Sequence, residues 1–415
     1  MAEPVDLSVI ALVAAGVMLF GLFSERLRLG LITSPMAFTG LGLLLAALGL
    51  VQLDAESAFI TTLTELALVV ILYTDASRID LSLLKREYRF ALRLLAVGLP
   101  LTIVAGTLTG LLVLGQFGFW ELALLAAILA PTDAALGQAV VTDECVPVRV
   151  RQTLNVESGL NDGLALPVVL LFVSVAGMET GSTVSWLRFV TLQLLLAPVI
   201  GVGMGYLGGE LTERAVNAGW MNRTFLKLSS LALALLTFSS AELMGGNGFI
   251  TVFVTGLTLG NRKRELCERL FEFAEAEGQL LTLSVFLVFG AVMVGPALTE
   301  LSWRSLLYTL LSLTAVRMLP VALSLPGSGL RPYTALFLGW FGPRGIASII
   351  YGLLLFEYSL PQAEPLFQVV VLTVLLSVVL HGLSAAPLAA RYGKAMRNNA
   401  DMPEAKPVTE LPLRY

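Results

Sequence analysis

Read along the chain, polar and Gly/Pro positions cut a largely apolar sequence into blocks of about 20 residues, each long enough to cross a hydrocarbon core as a helix. The pattern predicts helices near residues 7–25, 29–50, 58–76, 89–115, 118–142, 150–176, 186–209, 224–243, 247–260, 279–299, 303–325, 331–356 and 361–390. The ninth is short. Residues 392–415 form a polar remainder, expected to be a disordered cytosolic tail. The connections are too short for a separate soluble domain.

The basic residues test this count. With the N-terminus outside and the sides alternating, the outward loops take only Arg188 and Arg304 of the 26 lysines and arginines. Arg317 and Arg344 lie inside apolar spans, and all the others fall on inward segments. A miscounted helix would scramble that segregation. The expectation is a multi-pass protein of the cell membrane, with its N-terminus outside and its C-terminus cytoplasmic.

Composition agrees and closes off other classes. Of 415 residues, 56% are apolar and 13% charged, against roughly 25% charged in soluble domains. A net charge of -4 excludes a nucleic-acid binder. One histidine (His381) and two cysteines (Cys145, Cys267) exclude a disulfide framework and the usual haem and iron–sulfur spacings. Both cysteines fall on inward loops, where thiols stay reduced. No HExxH or GxSxG motif is present, so an enzyme is not expected, nor a cofactor. The first 20 residues carry Glu3 and Asp6 and no basic start, so a cleavable signal peptide is not expected either. Residues 261–278 read as an amphipathic helix along the cytosolic face. His381 reads as a packing residue, and Gly201 with Gly205 as a small-xxx-small spacing for close helix contact.

Charges in the middle of a membrane cost about 2.5–3.5 kcal/mol even on the mildest scale, so they are functional candidates. In the fifth span, Pro131, Thr132 and Asp133 interrupt an apolar run. Proline frees carbonyls that must find a partner, and a dehydrated cation is one. In the sixth span, Glu157 and Asn161, and Ser158 and Asp162, are each four apart, giving two adjacent polar stripes on one side. Glu157 needs an opposite charge, and Arg317 is its natural counter-ion. Asp162 then suits a group that alternately holds a proton and a metal cation. In the twelfth span, Gly342, Pro343 and Gly345 break the run around Arg344. Two Gly/Pro-interrupted spans an odd number of helices apart point to a transporter with inverted repeats. Arg344 either neutralises the C-terminal dipole ends of crossed half-helices or anchors the cytosolic funnel.

The strings PTDAALGQAVV and NVESGLNDG, followed by an intramembrane arginine and a GPRG break, resemble monovalent cation:proton antiporter family 1. That family contains the prokaryotic NhaP-type sodium/proton antiporters and the animal sodium/proton exchangers. The resemblance covers nearly the whole chain, although here the proline precedes the Thr-Asp pair where the family often has Thr-Asp-Pro. It implies an all-α fold of about thirteen transmembrane helices with two broken crossing helices, in one transporter unit over residues 1–391. Within it, a core domain (89–176 and 303–390) moves against a dimerisation domain (1–88 and 186–299) of a homodimer in lipid. It also implies that Thr132, Asp133, Ser158 and Asp162 line the Na+ site, that Asp75 (rather than Glu65) adds an acid nearby, and that Glu157, Asn161 and Arg317 hold the core together. Asn161–Asp162, where electrogenic relatives carry Asp-Asp, implies electroneutral exchange of one cation for one proton. Sodium is the expected ion, with lithium next. A K+/H+ antiporter of the same fold is the main alternative, and a cation channel the weaker one.

Overall fold

A computed structural model describes residues 11, 14–22, 32–50, 57–177, 192–269, 271–358, 360–396 and 402–411. The described residues are helical with no strands, because a helix satisfies its own backbone where no water can. In chain order the helices are α1 (Ser34–Ala47), α2 (Ala58–Arg78), α3 (Leu81–Arg86), α4 (Arg89–Val113), α5 (Phe119–Ile128), α6 (Ala134–Val141), α7 (Val148–Ala176) and α8 (Ala197–Asn217). They continue with α9 (Arg223–Leu243), α10 (Gly248–Arg262), α11 (Arg264–Glu268), α12 (271–299), α13 (Trp303–Ser324), α14 (Pro332–Trp340), α15 (Ile346–Glu357) and α16 (Ala363–Met396). Short polar side chains start several of them. Asn222 accepts from Phe225 N at 2.9 Å, Asn247 from Ile250 N at 2.9 Å, and Ser302 from Ser305 N at 3.0 Å.

Eight helices among the described residues are long and apolar enough to cross a membrane unaided. The second and ninth expected spans are the shorter α1 and α10, and the first is described as helical only over 14–22. The fifth and twelfth each fall into two half-helices, α5/α6 and α14/α15. α2, α8, α9, α10 and α12 pack together, with α1 against α12. α4 packs with α5 and α13, α5 and α6 with α7, and α13 and α15 with α16. Backbones approach closely in the first group. A Cβ on Gly201 would meet the Thr251 carbonyl oxygen at 2.7 Å, and one on Gly260 would meet that of Ser77 at 2.1 Å.

Two expectations need correction. Residues 261–278 are not one surface helix. α10 runs to Arg262, α11 is a five-residue turn of helix that buries Cys267, and α12 begins at residue 271 and continues into the bundle. The remainder after the last span is not a disordered tail throughout. α16 extends to Met396, and residues 402–411 pack back onto the protein, burying Glu404 and Leu411. The reason is the same in both places: polar residues there find fixed partners on the helix ends rather than water.

Candidate functional site

The two interrupted helices cross at their breaks. Residues 129–133 separate α5 from α6, and residues 341–345 separate α14 from α15. The non-helical pieces hold each other through backbone and carboxylate. Asp133 N donates to the Pro343 carbonyl at 2.8 Å. Asp133 Oδ1 accepts from Ala135 N at 2.8 Å and Oδ2 from Ile346 N at 2.9 Å. One carboxylate thus caps the N-termini of two half-helices, α6 and α15, where orphan N–H groups and the positive dipole end favour an anion.

The opposite ends need positive partners. The Arg344 side chain is fully buried and donates from Nη1 to the Ala130 carbonyl at 2.5 Å and to that of Pro131 at 3.1 Å. Of its two sequence readings, this geometry is the one that neutralises the carbonyl end of a half-helix; it does not sit on a surface funnel. Its own N–H donates to Ser377 Oγ on α16 at 2.7 Å, and Ser348 Oγ donates to the Ile128 carbonyl at 2.8 Å. The carbonyls and N–H groups released by the breaks are therefore met by the side chains of Asp133 and Arg344 in the breaks themselves and of Ser348 on α15 and Ser377 on α16, as the lack of water in a bilayer demands.

α7 passes beside the crossing and presents its polar stripes to it. Arg317 Nη2 on α13 lies 2.6 Å from Glu157 Oε1, with both side chains almost fully buried. A Cβ on Gly342 would meet Arg317 Nε at 2.3 Å, so the glycine makes room for the guanidinium. Asn161 Nδ2 donates to Thr132 Oγ1 at 2.6 Å, and Thr132 Oγ1 lies 3.0 Å from Ser158 Oγ. These bonds tie the break in the fifth span to α7. Asp162 is buried one helical turn beyond Ser158, and its main-chain carbonyl accepts from the Tyr351 hydroxyl at 2.8 Å. Thr132, Asp133, Glu157, Ser158, Asn161, Asp162, Arg317 and Arg344 thus gather where the breaks meet.

Asp75 lies slightly apart. It is buried on α2 and lines a small cleft with Ala134, Asn155 and Gly159, which are neighbours of the crossing and of Ser158. Glu65 is ten residues earlier on the same helix, about 15 Å away along its axis, and its charged neighbours are Glu357 and Glu242. Asp75 is therefore the acid of the pair that the fold brings near α7. His381 is buried on α16, stacked on Trp340, with Nε2 2.9 Å from the Trp340 carbonyl and Nδ1 2.9 Å from that of Ser377. It packs at the end of α14, as the sequence suggested. Sequence reasoning did not single out Ser348, Tyr351 or Ser377. Hydroxyls cost little in a membrane helix, so nothing in the hydropathy pattern marks them. No cluster of three His, Cys, Asp or Glu that could hold a resident metal occurs among the described residues.

Comparison with known proteins follows the same direction. The family of sodium/hydrogen exchangers, transmembrane region, matches residues 10–391. The K(+)/H(+) antiporter NhaP2 of Shewanella sp. (strain ANA-3) is 25% identical over 408 residues, spanning 97% of this chain and 69% of that relative. The K(+)/H(+) antiporter NhaP of Alkalimonas amylolytica is 27% identical over 326 residues, 78% of this chain and 56% of its own length. Among solved structures, the sodium proton antiporter MjNhaP1 from Methanocaldococcus jannaschii matches with a TM-score of 0.76 at 21% identity, covering 93% of this chain and 97% of that one. This last likeness is one of fold.

Proposed function

Because the chain belongs to the sodium/hydrogen exchanger family, we propose that it is a secondary active antiporter that exchanges one monovalent cation for one proton at Asp162. The charge balance of the buried crossing carries this reading. Asp133, Glu157 and Asp162 bring three carboxylates, and Arg317 and Arg344 bring two guanidiniums, all buried. Glu157 is matched by Arg317, and Asp133 is occupied by the N–H groups of two half-helices. Three carboxylates against two guanidiniums leave the crossing one negative charge in excess when all five are ionised, and either one proton or one monovalent cation balances it. Stranding a charge in a low-dielectric interior is costly, so the reorienting state carries one ligand or the other. Mutual exclusion at a single carboxylate is what couples the two fluxes.

In this reading Thr132 and Ser158 supply neutral oxygens beside Asp162, and Asp133 fixes the crossing rather than cycling. Asn161 holds Thr132 in place and, being an amide, adds no second proton. Asp75, beside Arg78 in the cleft that borders the crossing, is the further acid of the site in this reading. Movement of the body containing α4–α7 and α13–α16 against that containing α1, α2, α8–α10 and α12 would alternate access, in a homodimer of the cell membrane with the N-terminus outside and the end of α16 facing the cytosol. The exchanged ion in this reading is sodium, with lithium accepted. Potassium is the second reading, favoured by the names of the Shewanella and Alkalimonas relatives. A channel would call for pore-lining rings instead of two crossed breaks.

The test is dissipation of a preset pH gradient in proteoliposomes by sodium, lithium and potassium salts in turn, with wild type and Asp162→Asn. Wild type should respond to at least one cation, and the variant, folded and of unchanged oligomeric state, to none. Cation-driven proton movement surviving in the variant would remove Asp162 from the carrier role.

A further inference from the structure

We propose that residues 402–411 form a strap that closes the cleft leading to Asp162, making the chain self-inhibited in the conformation described here. The identification of this cleft as an ion path rests on the antiporter reading; the closure itself does not. Three anchors fix the strap. Glu404 is 1% exposed; its carboxylate accepts from Arg331 N at 2.9 Å and from Thr334 Oγ1 at 2.8 Å, at the start of α14, while Arg149 Nη1 on α7 donates to the Pro403 carbonyl at 3.0 Å. Further on, Thr409 donates from N and Oγ1 to the two oxygens of Glu87, at 2.7 and 3.2 Å, and its carbonyl accepts from the Tyr88 hydroxyl. Finally Gln152 on α7 clasps the Leu411 backbone on both sides, donating to its carbonyl at 3.1 Å and accepting from its N–H at 3.3 Å.

The last anchor brings an apolar side chain into the cleft that holds Asp75 and Arg78. Leu411 is 3% exposed and forms one wall of the cleft otherwise lined by Asp75, Arg78, Ile79, Ala134, Asn155 and Gly159. Ala134 follows Asp133, and Gly159 follows Ser158, so this cleft borders the crossing, and in the antiporter reading it is the approach to Asp162. A hydrated cation approaching by it would have to displace a leucine, and an apolar constriction excludes ions by keeping water out. The strap also ties α7 and α14 to the connection after α3, and its Leu411 shares the cleft with Asp75 and Arg78 of α2. In the antiporter reading those elements belong to bodies that move against each other, so an attached strap both blocks the path and opposes the movement. Specific anchoring at buried Glu404 and at the Gln152 clasp distinguishes this from a tail lying on a surface.

Cleft accessibility tests it without relying on transport. In a Cys145→Ser, Cys267→Ser background carrying Asn155→Cys, the rate of maleimide labelling in detergent reports whether the cleft is open. Adding Leu411→Asp should raise that rate about tenfold, because a site open only part of the time reacts in proportion to that fraction. Glu87→Ala, which releases the Thr409 anchor from outside the cleft, should raise it in the same direction and covers the case where Leu411→Asp fails to fold. Without the cysteine reporter, both variants should also lower the cation concentration for half-maximal gradient dissipation. Labelling unchanged in folded Leu411→Asp and Glu87→Ala would overturn the strap. Faster labelling with no transport of any cation in wild type or variants would leave the closure standing and remove the antiporter reading instead.

Discussion

Gly345 and Asp133 touch so closely that a methyl group added at residue 345 would sit 2.0 Å from Asp133 Oδ2. The contact places Ile346 N on that same oxygen and so locks α15 to the break before α6. Gly345→Ala should force the carboxylate out of both caps. Overpacking costs roughly 1–3 kcal/mol, and each lost N-cap about 1 kcal/mol more. The expected outcome is a lower melting temperature in detergent together with loss of gradient dissipation. A variant of wild-type stability and activity would show that the crossing tolerates a different register of its two half-helices.

The Glu157–Arg317 pair predicts a non-additive cycle. Breaking a buried pair from one side costs roughly 3–5 kcal/mol, because the other charge is stranded. Glu157→Ala and Arg317→Ala should each lower thermal stability by that order, and the double variant should regain part of the loss. Thermal unfolding of all four proteins in one detergent checks it. Strictly additive losses would mean that the 2.6 Å contact contributes nothing as a pair.

Charge balance predicts transport that does not respond to voltage. One proton exchanged for one monovalent cation moves no net charge, and Asn161 cannot carry a second proton. Initial rates in vesicles clamped with potassium and valinomycin should therefore be independent of membrane potential for sodium exchange. A current reversing at the potential expected for two protons per cation would show that a second acid cycles, with Asp133 and Glu157 the candidates.

Outside the bundle, Asp80 gives a pH-dependent prediction. Its carboxylate starts α3, accepting from Ser82 Oγ at 2.6 Å, Ser82 N at 2.8 Å and Leu83 N at 3.0 Å. Burial alone would push its pKa up, but these hydrogen bonds and the charge of Arg264 outweigh it and bring it below the ordinary 3.8. A lowered folded-state pKa stabilises above the unfolded value and loses that contribution as the pH falls through the folded one. Asp80→Ala should be less stable than wild type at pH 7, by at most about 1 kcal/mol, with the gap narrowing below about pH 4. A gap of equal size at both ends of that range would show that the charge of the cap is irrelevant.

How much of this could be read without coordinates differs from residue to residue. Most of the spans and both breaks were legible because a bilayer imposes a fixed apolar length and makes each interruption expensive, although α8 runs past the expected end at 209 to Asn217. The meeting of Glu157 with Arg317 was legible by elimination, since so few charges lie inside apolar spans. The sequence could not choose between two jobs for Arg344, because its partners, the Ala130 and Pro131 carbonyls, are more than two hundred positions away and carry no side-chain signature. Nor could it mark Ser348, Tyr351 and Ser377, whose hydroxyls satisfy freed backbone groups at little cost in hydropathy. The segment 402–411 was misread for a related reason. A short polar stretch reads as solvated when judged by composition, yet Glu404, Thr409 and Leu411 are ordered by Thr334, Glu87 and Gln152. The sequence by itself determined which groups are too costly to be idle and, for Glu157 and Arg317, which two must pair; what meets Arg344 and Asp133, and what closes over the crossing, was decided by tertiary contacts, because hydrogen-bond satisfaction depends on distance in space and leaves no local pattern along the chain.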